Sequence, residues 1–293
     1  MHPSARPHSP LDRIQGLLIL MRPRQWIKNA FVFAPLLFTG EFTSSGAIIS
    51  SISAALIFCL ASSATYIVND LHDIEKDRRH PVKSRSRPLA TGLVTPPLAI
   101  ALLVSFYALL AIAWTYQPAT VYVVLTYILL NLAYSFVLKH QPVLDIFTIA
   151  IGFVLRVYAG AVALDVPLSS WMFVTTLCLA LYLAAIKRRQ ELLSHGDQSR
   201  KVLSQYSPEL INRYAEMSAT GAILFYSLFV MNSRPELVIT IPLVLYGVFR
   251  YWFIVDSKNA GESPTDSLLS DWQLLLTSGL WAAVSIYVQW PQA

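Results

Sequence analysis

Long apolar runs follow one another along the chain, and each approaches the roughly 20 residues that a helix needs to cross a bilayer. Charged residues are nearly absent inside these runs and gather in the connections between them, which is typical of membrane-spanning helices. The pattern predicts an all-α, polytopic membrane protein with nine transmembrane helices. The predicted spans are residues 28–44, 46–68, 96–116, 118–138, 143–164, 168–186, 214–232, 235–255 and 270–290.

The composition narrows the class of protein further. Of the 293 residues, 55% are hydrophobic and only 13% are charged, which is about half of the roughly 25% charged residues of a soluble domain. The 12% aromatic content excludes a disordered chain. The two cysteines, Cys59 and Cys178, are too few for a disulfide-stabilised secreted scaffold.

Basic residues alternate between the connections and predict how the bundle is oriented. The amino-terminal arm and the second, fourth, sixth and eighth connections carry Lys or Arg, whereas the first, third and fifth carry none and the seventh has only Arg234. Because cytoplasmic loops are the basic ones, we expect a cytoplasmic amino terminus and an outer carboxy terminus in the cell (inner) membrane. This topological pattern accounts for the net charge of +5 without nucleic-acid binding.

We predict a single integral membrane domain over residues 1–293. Residues 1–27 form a cytoplasmic arm, within which the apolar stretch 11–22 is too short to span and is typical of an interfacial helix. The connections 69–95 and 187–213 are the polar segments that can form a catalytic face on the cytoplasmic side.

Three aspartates follow the second predicted span. Asp70, Asp73 and Asp77 lie at i, i+3 and i+7, so on a continuing helix they fall within about 60° of one another. Converging carboxylates repel unless a cation lies between them, and hard oxygen ligands suit Mg²⁺. Asn69 adds another oxygen. The alternative is a solvated acidic helix end that pairs with the basic residues around it.

Basic residues in two other segments are candidates for phosphate binding. Lys83 and Arg87 follow the aspartates, and Lys187 and Arg188 begin a basic cluster in which Glu191 can pair with either of them. The alternative for this cluster is a purely topological role.

The fifth predicted span carries a polar stripe of Asp145, Thr148, Gly152 and Arg156. An intramembrane arginine is costly, so Arg156 is a candidate for phosphate binding, with a structural pair to a carboxylate or to carbonyls as the alternative. Glycines in this span are also expected to permit close helix contact.

These residues carry a family resemblance. The pattern Asn69-Asp70-x-x-Asp73-x-x-x-Asp77, followed by Lys83-x-Arg85-x-Arg87 and Pro88-Leu89-Ala90-Thr91-Gly92, resembles the first aspartate-rich motif of the UbiA-type intramembrane prenyltransferases. The resemblance implies a nine-helix bundle with a cytoplasmic-side catalytic cavity, in which this motif binds Mg²⁺ and a diphosphate.

A second motif distinguishes branches of that superfamily. Aromatic prenyltransferases carry another aspartate-rich motif after the sixth helix, where this chain reads Lys187-Arg188-Arg189-Gln190-Glu191-Leu192. Together with Arg22-Pro23-Arg24-Gln25-Trp26-Ile27-Lys28-Asn29 and with Tyr134 to His140, the basic segment is similar to the decaprenyl-phosphate phosphoribosyltransferase branch. The family's second signature, Tyr-x-x-x-Lys, is shifted here by one residue, since Lys139 lies five places after Tyr134.

This branch implies transfer of a phosphoribosyl group from water-soluble 5-phosphoribosyl 1-diphosphate to a polyprenyl monophosphate, for the synthesis of cell-envelope arabinan precursors. On this interpretation the catalytic residues are Asp70, Asp73, Asp77 and Lys139, and the Mg²⁺ ligands are Asp70, Asp73, Asp77 and Asn69. The expected substrate-binding residues are Lys28, Asn69, Lys83, Arg87, Tyr134, Arg156, Lys187, Arg188 and Glu191.

Two alternatives stay open at this point. A prenyltransferase that uses isoprenyl diphosphate requires a second carboxylate cluster near residues 187–207, which offers only Glu191 and Asp197. A transporter of polyprenyl phosphates or small anions requires internal repeats, and none is apparent. The expected partners are the two substrates and the membrane, and the sequence leaves a homo-oligomer open.

Overall fold

The computed structural model describes residues 9–79, 82–195, 201–258 and 264–291, and within these ranges no strand occurs. The described residues form fourteen α-helices, which are connected by short turns and 3₁₀ segments. The α-helices are α1 (Pro10–Met21), α2 (Ala34–Thr39), α3 (Ser45–His72), α4 (Ile74–Arg79), α5 (Lys83–Ser86), α6 (Pro88–Thr91), α7 (Pro96–Trp114), α8 (Pro118–Phe136), α9 (Leu144–Ala163), α10 (Ser170–His195), α11 (Pro208–Ser233), α12 (Ile241–Lys258), α13 (Pro264–Ser270) and α14 (Trp272–Val288). The 3₁₀ segments are Pro23–Phe33, Glu41–Thr43, Leu138–His140, Lys201–Gln205 and Pro235–Thr240.

Seven helical stretches of the described chain are long and apolar enough to cross a membrane. They comprise α3, α7, α8, α9, α10, α11 and the stretch Pro235–Ser257, which includes α12. The prediction of an all-α, multi-pass membrane protein is therefore confirmed, whereas the count of nine spans is not.

The two remaining predicted spans fold differently from a long α-helix. The stretch predicted at 28–44 is divided between the 3₁₀ segment Pro23–Phe33 and the six-residue helix α2, which ends at Gly40 with φ of 80°. Pro35 at the start of α2 has no N–H to donate, so an uninterrupted α-helical hydrogen-bond ladder cannot pass through it. The last predicted span becomes α14, which is apolar but only 17 residues long.

The sixth connection is shorter than predicted. Helix α10 continues to His195, so the basic cluster of residues 187–191 lies on a helix, and α11 already begins at Pro208. Ser207 caps α11 by accepting a hydrogen bond from Leu210 N at 3.1 Å. The predicted connection 187–213 therefore consists mainly of helix where it is described, and residues 196–200 lie outside the described ranges.

Helix α9 lies at the centre of the packing. It contacts α3, α8, α10, α2 and the 3₁₀ segment Pro23–Phe33. Its polar stripe of Asp145, Thr148, Gly152 and Arg156 is buried. The stripe faces other parts of the protein, so the buried charges of Asp145 and Arg156 need partners within the bundle.

A close helix contact depends on Gly160 of α9. A Cβ atom at this position would lie 1.9 Å from the carbonyl oxygen of Val32 and 3.2 Å from Pro35 Cδ. Glycine therefore lets the backbone of the first 3₁₀ segment approach α9 directly, as expected from the sequence.

The amino-terminal helix α1 presents apolar side chains that the rest of the described chain does not cover. Leu11, Ile14, Leu18 and Ile19 are exposed, while Leu20 is fully buried against the bundle. Ser9 and Asp12 form a capping box at its start. An exposed apolar face suits a helix in the membrane interface, which stays a prediction. Residues 1–8 of the predicted arm lie outside the described ranges.

A cavity of about 260 Å³ lies near the turn between α9 and α10. Its lining includes Phe38, Ala161, Met172, Phe229 and Arg234. None of the residues predicted to bind substrate lines it. It is therefore separate from the catalytic cavity that the resemblance implies.

We predict that Gly160→Ala destabilises the protein. Relieving the overlap between Cβ and the Val32 carbonyl requires α9 and the first 3₁₀ segment to separate, which costs about 1–3 kcal/mol or more. The melting temperature in detergent should fall clearly. Gly279→Ala is the matched control, because a Cβ there meets no atom within 4 Å and alanine favours helix. Equal melting temperatures for both variants would contradict the assigned contact.

Candidate functional site

The predicted site residues gather at one end of the bundle, which we call the basic end. Helices α3, α8 and α10 finish there, and α9 begins there, so that Asp70, Tyr134, Lys187 and Asp145 come from four different helices. Lys139 lies at the same end, half-buried in the 3₁₀ segment Leu138–His140.

The aspartate-rich motif does not continue as one helix. Helix α3 ends at His72, and Asp73 is its C-cap, with its N–H donating to Asn69 O at 3.0 Å. A new short helix then carries Asp77, whose N–H donates to Asp73 O at 2.8 Å. Asp70 and Asp77 are buried, at 5% and 3% exposure, and Asp73 is half-buried.

The three aspartates do not lie on one continuous helix in this structure, and their role as metal ligands stays a prediction. Among the described residues, no three His, Cys, Asp or Glu side chains are close enough to form a metal-binding group. The physical reason is the break at Asp73, which ends the 100° periodicity that the prediction extended. Basic side chains instead lie against the two buried aspartates.

Asp70 is held by two arginines. Arg22 Nη2 and Arg87 Nη1 each donate to Asp70 Oδ1 at 2.5 Å. Arg87 was a predicted substrate-binding residue, whereas Arg22 was not assigned a role in the site. The Arg22 guanidinium also lies 4.5 Å from the centre of the Tyr66 ring.

The two buried aspartates nevertheless suit a divalent cation. Asp70 Oδ2 and Asp77 Oδ1 are buried and receive no hydrogen bond from the described part of the chain, although Lys83 Nζ lies 3.3 Å from Asp77 Oδ1. Buried carboxylate oxygens without hydrogen bonds are unusual and call for a ligand. Oxygen donors of this kind match Mg²⁺, and Asn69 Oδ1, which accepts from Ser135 Oγ at 2.8 Å, lies one residue before Asp70.

Cations outnumber carboxylates around Lys28. Burial, followed by the positive charges of Lys187, Arg156 and Arg22, lowers the pKa of this half-buried side chain to about 7, and the carboxylate of Asp266 opposes the shift. Because like charges in a partly buried site repel, such a group is stabilised when an anion binds among them. Arg156 and Lys187 thus act electrostatically on Lys28, and all three residues were predicted to bind substrate.

Arg156 is held by neutral partners. Its Nε donates to Asn29 Oδ1 at 2.9 Å, Nη1 to Gly152 O at 2.7 Å and Nη2 to Tyr127 OH at 3.2 Å. The guanidinium also lies about 5 Å from three aromatic rings, including those of Phe58 and Tyr127. No carboxylate balances the Arg156 charge among the described contacts, so the predicted polar stripe ends in a positive charge.

Arg188 is enclosed between two carboxylates. Its side chain is 1% exposed; Nε donates to Asp145 Oδ2 at 2.6 Å, Nη1 to Glu191 Oε2 at 2.7 Å and Nη2 to Tyr134 OH at 2.8 Å. Glu191 also lies 3.9 Å from Lys187 Nζ. Both side-chain pairings expected of Glu191 are therefore formed.

Arg188 was predicted to bind substrate, and in this structure each of its three side-chain nitrogens donates to a side chain of the protein. Its positive charge is already balanced by Asp145 and Glu191, and its side chain is buried. We assign it a bracing role, because it connects α8, α9 and α10 at the basic end.

Tyr206 is a site residue that sequence reasoning did not assign. Its hydroxyl donates to Asp145 Oδ1 at 2.8 Å and accepts from Val143 N at 2.6 Å. Burial raises the pKa of Tyr206, so the hydroxyl stays a donor to Asp145. Val143 has φ of 69°, a strained value for a β-branched residue, and this contact helps to hold it. No local signal reveals a contact across 61 residues of sequence.

We predict that Arg188→Met lowers the stability of the protein by about 3–5 kcal/mol, because it removes the charge partner of the fully buried Asp145 and one of the two basic partners of Glu191. Thermal unfolding in detergent measures the loss. Adding Asp145→Asn should restore part of it. Arg78→Gln, which removes an exposed pair with Glu75, is the control and should leave the melting temperature unchanged. An unchanged melting temperature in Arg188→Met, with weaker binding of phosphate acceptor, would restore the phosphate-binding role.

Comparison with known proteins agrees with the resemblance. The model of the UbiA prenyltransferase family matches residues 30–287. The decaprenyl-phosphate phosphoribosyltransferase of Mycolicibacterium smegmatis is 36% identical over 291 residues, which cover 92% of this chain and 90% of the relative. The protein of the same name from Mycobacterium tuberculosis (strain H37Rv) is 36% identical over 286 residues, which cover 94% of each chain.

The fold is shared with a solved structure. A UbiA homologue from Archaeoglobus fulgidus, bound to GPP and Mg²⁺, has a TM-score of 0.71 at 22% identity and covers 93% of this chain and 99% of its own. The family model and the two relatives span most of the sequence. The chain therefore belongs to the UbiA prenyltransferase family.

Proposed function

We propose that this protein transfers the 5-phosphoribosyl group of 5-phosphoribosyl 1-diphosphate to a polyprenyl monophosphate of the decaprenyl type and releases diphosphate. The observation that carries the proposal is a difference between the two groups of carboxylates at the basic end. One buried aspartate pair there has oxygens without hydrogen bonds, whereas the two carboxylates on the other side are already occupied by Arg188. The similarity to relatives named decaprenyl-phosphate phosphoribosyltransferase supports the choice of substrates.

The donor diphosphate is assigned to the aspartate-rich end of α3. Asp70, Asp73 and Asp77, with Asn69, would hold Mg²⁺, which supplies positive charge to the departing diphosphate when it is bound. Arg22, Arg87 and Lys83 already lie beside these carboxylates and have donors suited to phosphate oxygens. Lys139, at the same end, is assigned to the diphosphate or the 5-phosphate.

The acceptor phosphate is assigned to the cation group around Lys28. Lys187 and Arg156 act on Lys28 electrostatically, and the described hydrogen-bond partners of Arg156 are neutral groups, which leave its positive charge uncompensated. Glu191 holds Lys187 at this position and is itself held by Arg188. A phosphate among these cations relieves their mutual repulsion.

The proposed reaction depends on the orientation of the two substrates and on stabilisation of the leaving diphosphate. It does not require a strong general base. A lipid phosphate oxygen is already anionic and forms the new bond to C1 of the ribose, while the bond from C1 to the diphosphate oxygen breaks and its electron pair leaves with the diphosphate. The cations that hold the two phosphate groups oppose the build-up of negative charge on the leaving group. Attack from the opposite face inverts the configuration at C1.

The orientation of the protein in the membrane follows from the assignment of the substrates to the basic end. We propose that the basic end faces the cytoplasm of the cell that makes the protein, because cytoplasmic loops are enriched in Lys and Arg and because the donor is water-soluble. The polyprenyl tail would lie in the bilayer against apolar helix surfaces. The predicted domain organisation, with 1–27 as an arm and 69–95 and 187–213 as catalytic connections, is part of this proposal.

The direct test uses the purified full-length protein in detergent with Mg²⁺, polyprenyl monophosphate and radiolabelled 5-phosphoribosyl 1-diphosphate. We expect label to move into the lipid phase, to stop when a chelator is added and to resume with excess Mg²⁺. A parallel reaction contains isoprenyl diphosphate and 4-hydroxybenzoate. Prenylation of the aromatic acceptor without phosphoribosyl transfer would contradict the proposal.

Two carboxylate variants serve as a matched pair in this assay. Asp73→Asn should abolish transfer while the melting temperature stays near that of the wild type, since Asp73 is only half-buried. Glu75→Gln removes a nearby carboxylate that is exposed and paired with Arg78, and it should keep most of the activity. Retention of activity in Asp73→Asn would remove this residue from the assigned metal ligands.

A further inference from the structure

Asp70 is contacted by two arginines from distant parts of the chain, and both bind the same oxygen. Arg22 precedes the first 3₁₀ segment and Arg87 precedes α6, yet both guanidiniums donate to Oδ1. The second oxygen, Oδ2, is buried and receives no hydrogen bond. One oxygen of the Asp70 carboxylate is therefore already paired with two basic side chains, whereas the other accepts no hydrogen bond from the described residues.

The backbone directs Arg22 onto Asp70. Arg22 has φ of 56° and ψ of 58°, the left-handed conformation that residues other than glycine adopt rarely. The turn is fixed on both sides, because Ser63 Oγ donates to Met21 O at 2.9 Å and Trp26 Nε1 donates to Ser63 Oγ at 3.0 Å. Such a conformation is kept only where the surrounding structure enforces it.

Arg87 approaches Asp70 from the other side. Its backbone N–H donates to Lys83 O at 2.9 Å, which closes the short helix α5 and positions Arg87 just before Pro88. The side chains of Arg22 and Arg87 are 24% and 26% exposed, whereas that of Asp70 is 6% exposed. Both guanidiniums therefore border solvent and are within reach of a soluble anion.

These positions set up a competition. A divalent cation that approaches Asp70 meets two guanidiniums already bound to that carboxylate, and like charges in a partly buried site repel strongly. A diphosphate has the opposite effect, because guanidiniums bind phosphate oxygens with paired hydrogen bonds. Any ligand that binds the arginines then makes Asp70 more available, and by linkage the coupling is reciprocal.

We propose that Arg22 and Arg87 compete with a divalent cation for Asp70 until a diphosphate group binds to them, so that cation and diphosphate bind together and neither binds tightly alone. This inference rests on the proposed function for the use of Asp70 as a metal ligand. It adds Arg22 to the site as a residue that both restrains the aspartate and receives the diphosphate.

The test measures Mn²⁺ binding to the full-length protein in detergent without substrates, using the electron paramagnetic resonance signal of free Mn²⁺. We expect weak binding to the wild type, an affinity at least about fivefold higher in Arg22→Gln and in Arg87→Gln, and a larger gain in the double variant. Arg24→Gln and Arg85→Gln make the same change in net charge at exposed positions, and each should alter the affinity less than about twofold.

A double-mutant cycle tests whether the gain in Mn²⁺ affinity acts through Asp70. In Arg22→Gln/Asp70→Asn the gain in Mn²⁺ affinity should disappear, because the carboxylate released by the first change is removed by the second. A melting curve for each variant identifies any that fail to fold. A separate experiment measures the binding of inorganic diphosphate to the wild-type protein. The affinity should be much higher when Mn²⁺ is present than when a chelator is present.

Three results would overturn the inference. They are Mn²⁺ binding to the wild type as tight as to the folded double arginine variant, equal gains in the Arg24 and Arg85 controls, and equal diphosphate affinity with and without Mn²⁺. None of these measurements uses a phosphoribosyl donor or a lipid acceptor. Their failure is therefore distinguishable from failure of the label-transfer assay, which tests the proposed function alone.

Discussion

Compensation of buried charge is the constraint on which the basic end of this protein depends. A charge inside an apolar bundle persists only where opposite charges or hydrogen bonds replace the lost water. Arg188 meets this condition with Asp145, Glu191 and Tyr134, and in doing so it connects the ends of α8 and α10 to the start of α9. Tyr206 extends the same network to the segment before α11.

Two other buried charges, those of Arg156 and Asp70, are compensated differently, and the proposed function assigns both residues to ligand binding. Arg156 has only neutral partners, and Asp70 keeps one oxygen without a hydrogen bond. The proposed function assigns the cations around Lys28 to a phosphate and the buried oxygens of Asp70 and Asp77 to a divalent cation. In the proposed function, the phosphate groups of the two substrates would balance the remaining charges. The donor would bind at the end of α3 and the acceptor beside α9 and α10.

The sequence predicted those features that follow from local periodicity and charge. The buried stripe of α9, the pairing of Glu191 with Arg188 and the all-α membrane fold were each predicted, because helical spacing and hydropathy determine them. The turn at Asp73 and the 3₁₀ segment after Pro23 were not, since helical extrapolation assumes an unbroken ladder. The contact of Arg22 with Asp70 joins residues 48 positions apart through a left-handed turn, which no spacing rule reveals.

We expect the divalent cation to bind the aspartates at the end of α3 and in the short helix α4 that follows, whereas Arg188 occupies the position of a cation beside Glu191. Anomalous scattering from crystals grown with Mn²⁺ and diphosphate tests both halves at once. The account predicts a Mn²⁺ peak beside Asp70 and Asp77 and none beside Glu191. A peak between Glu191 and Asp145, with Arg188 displaced, would contradict it.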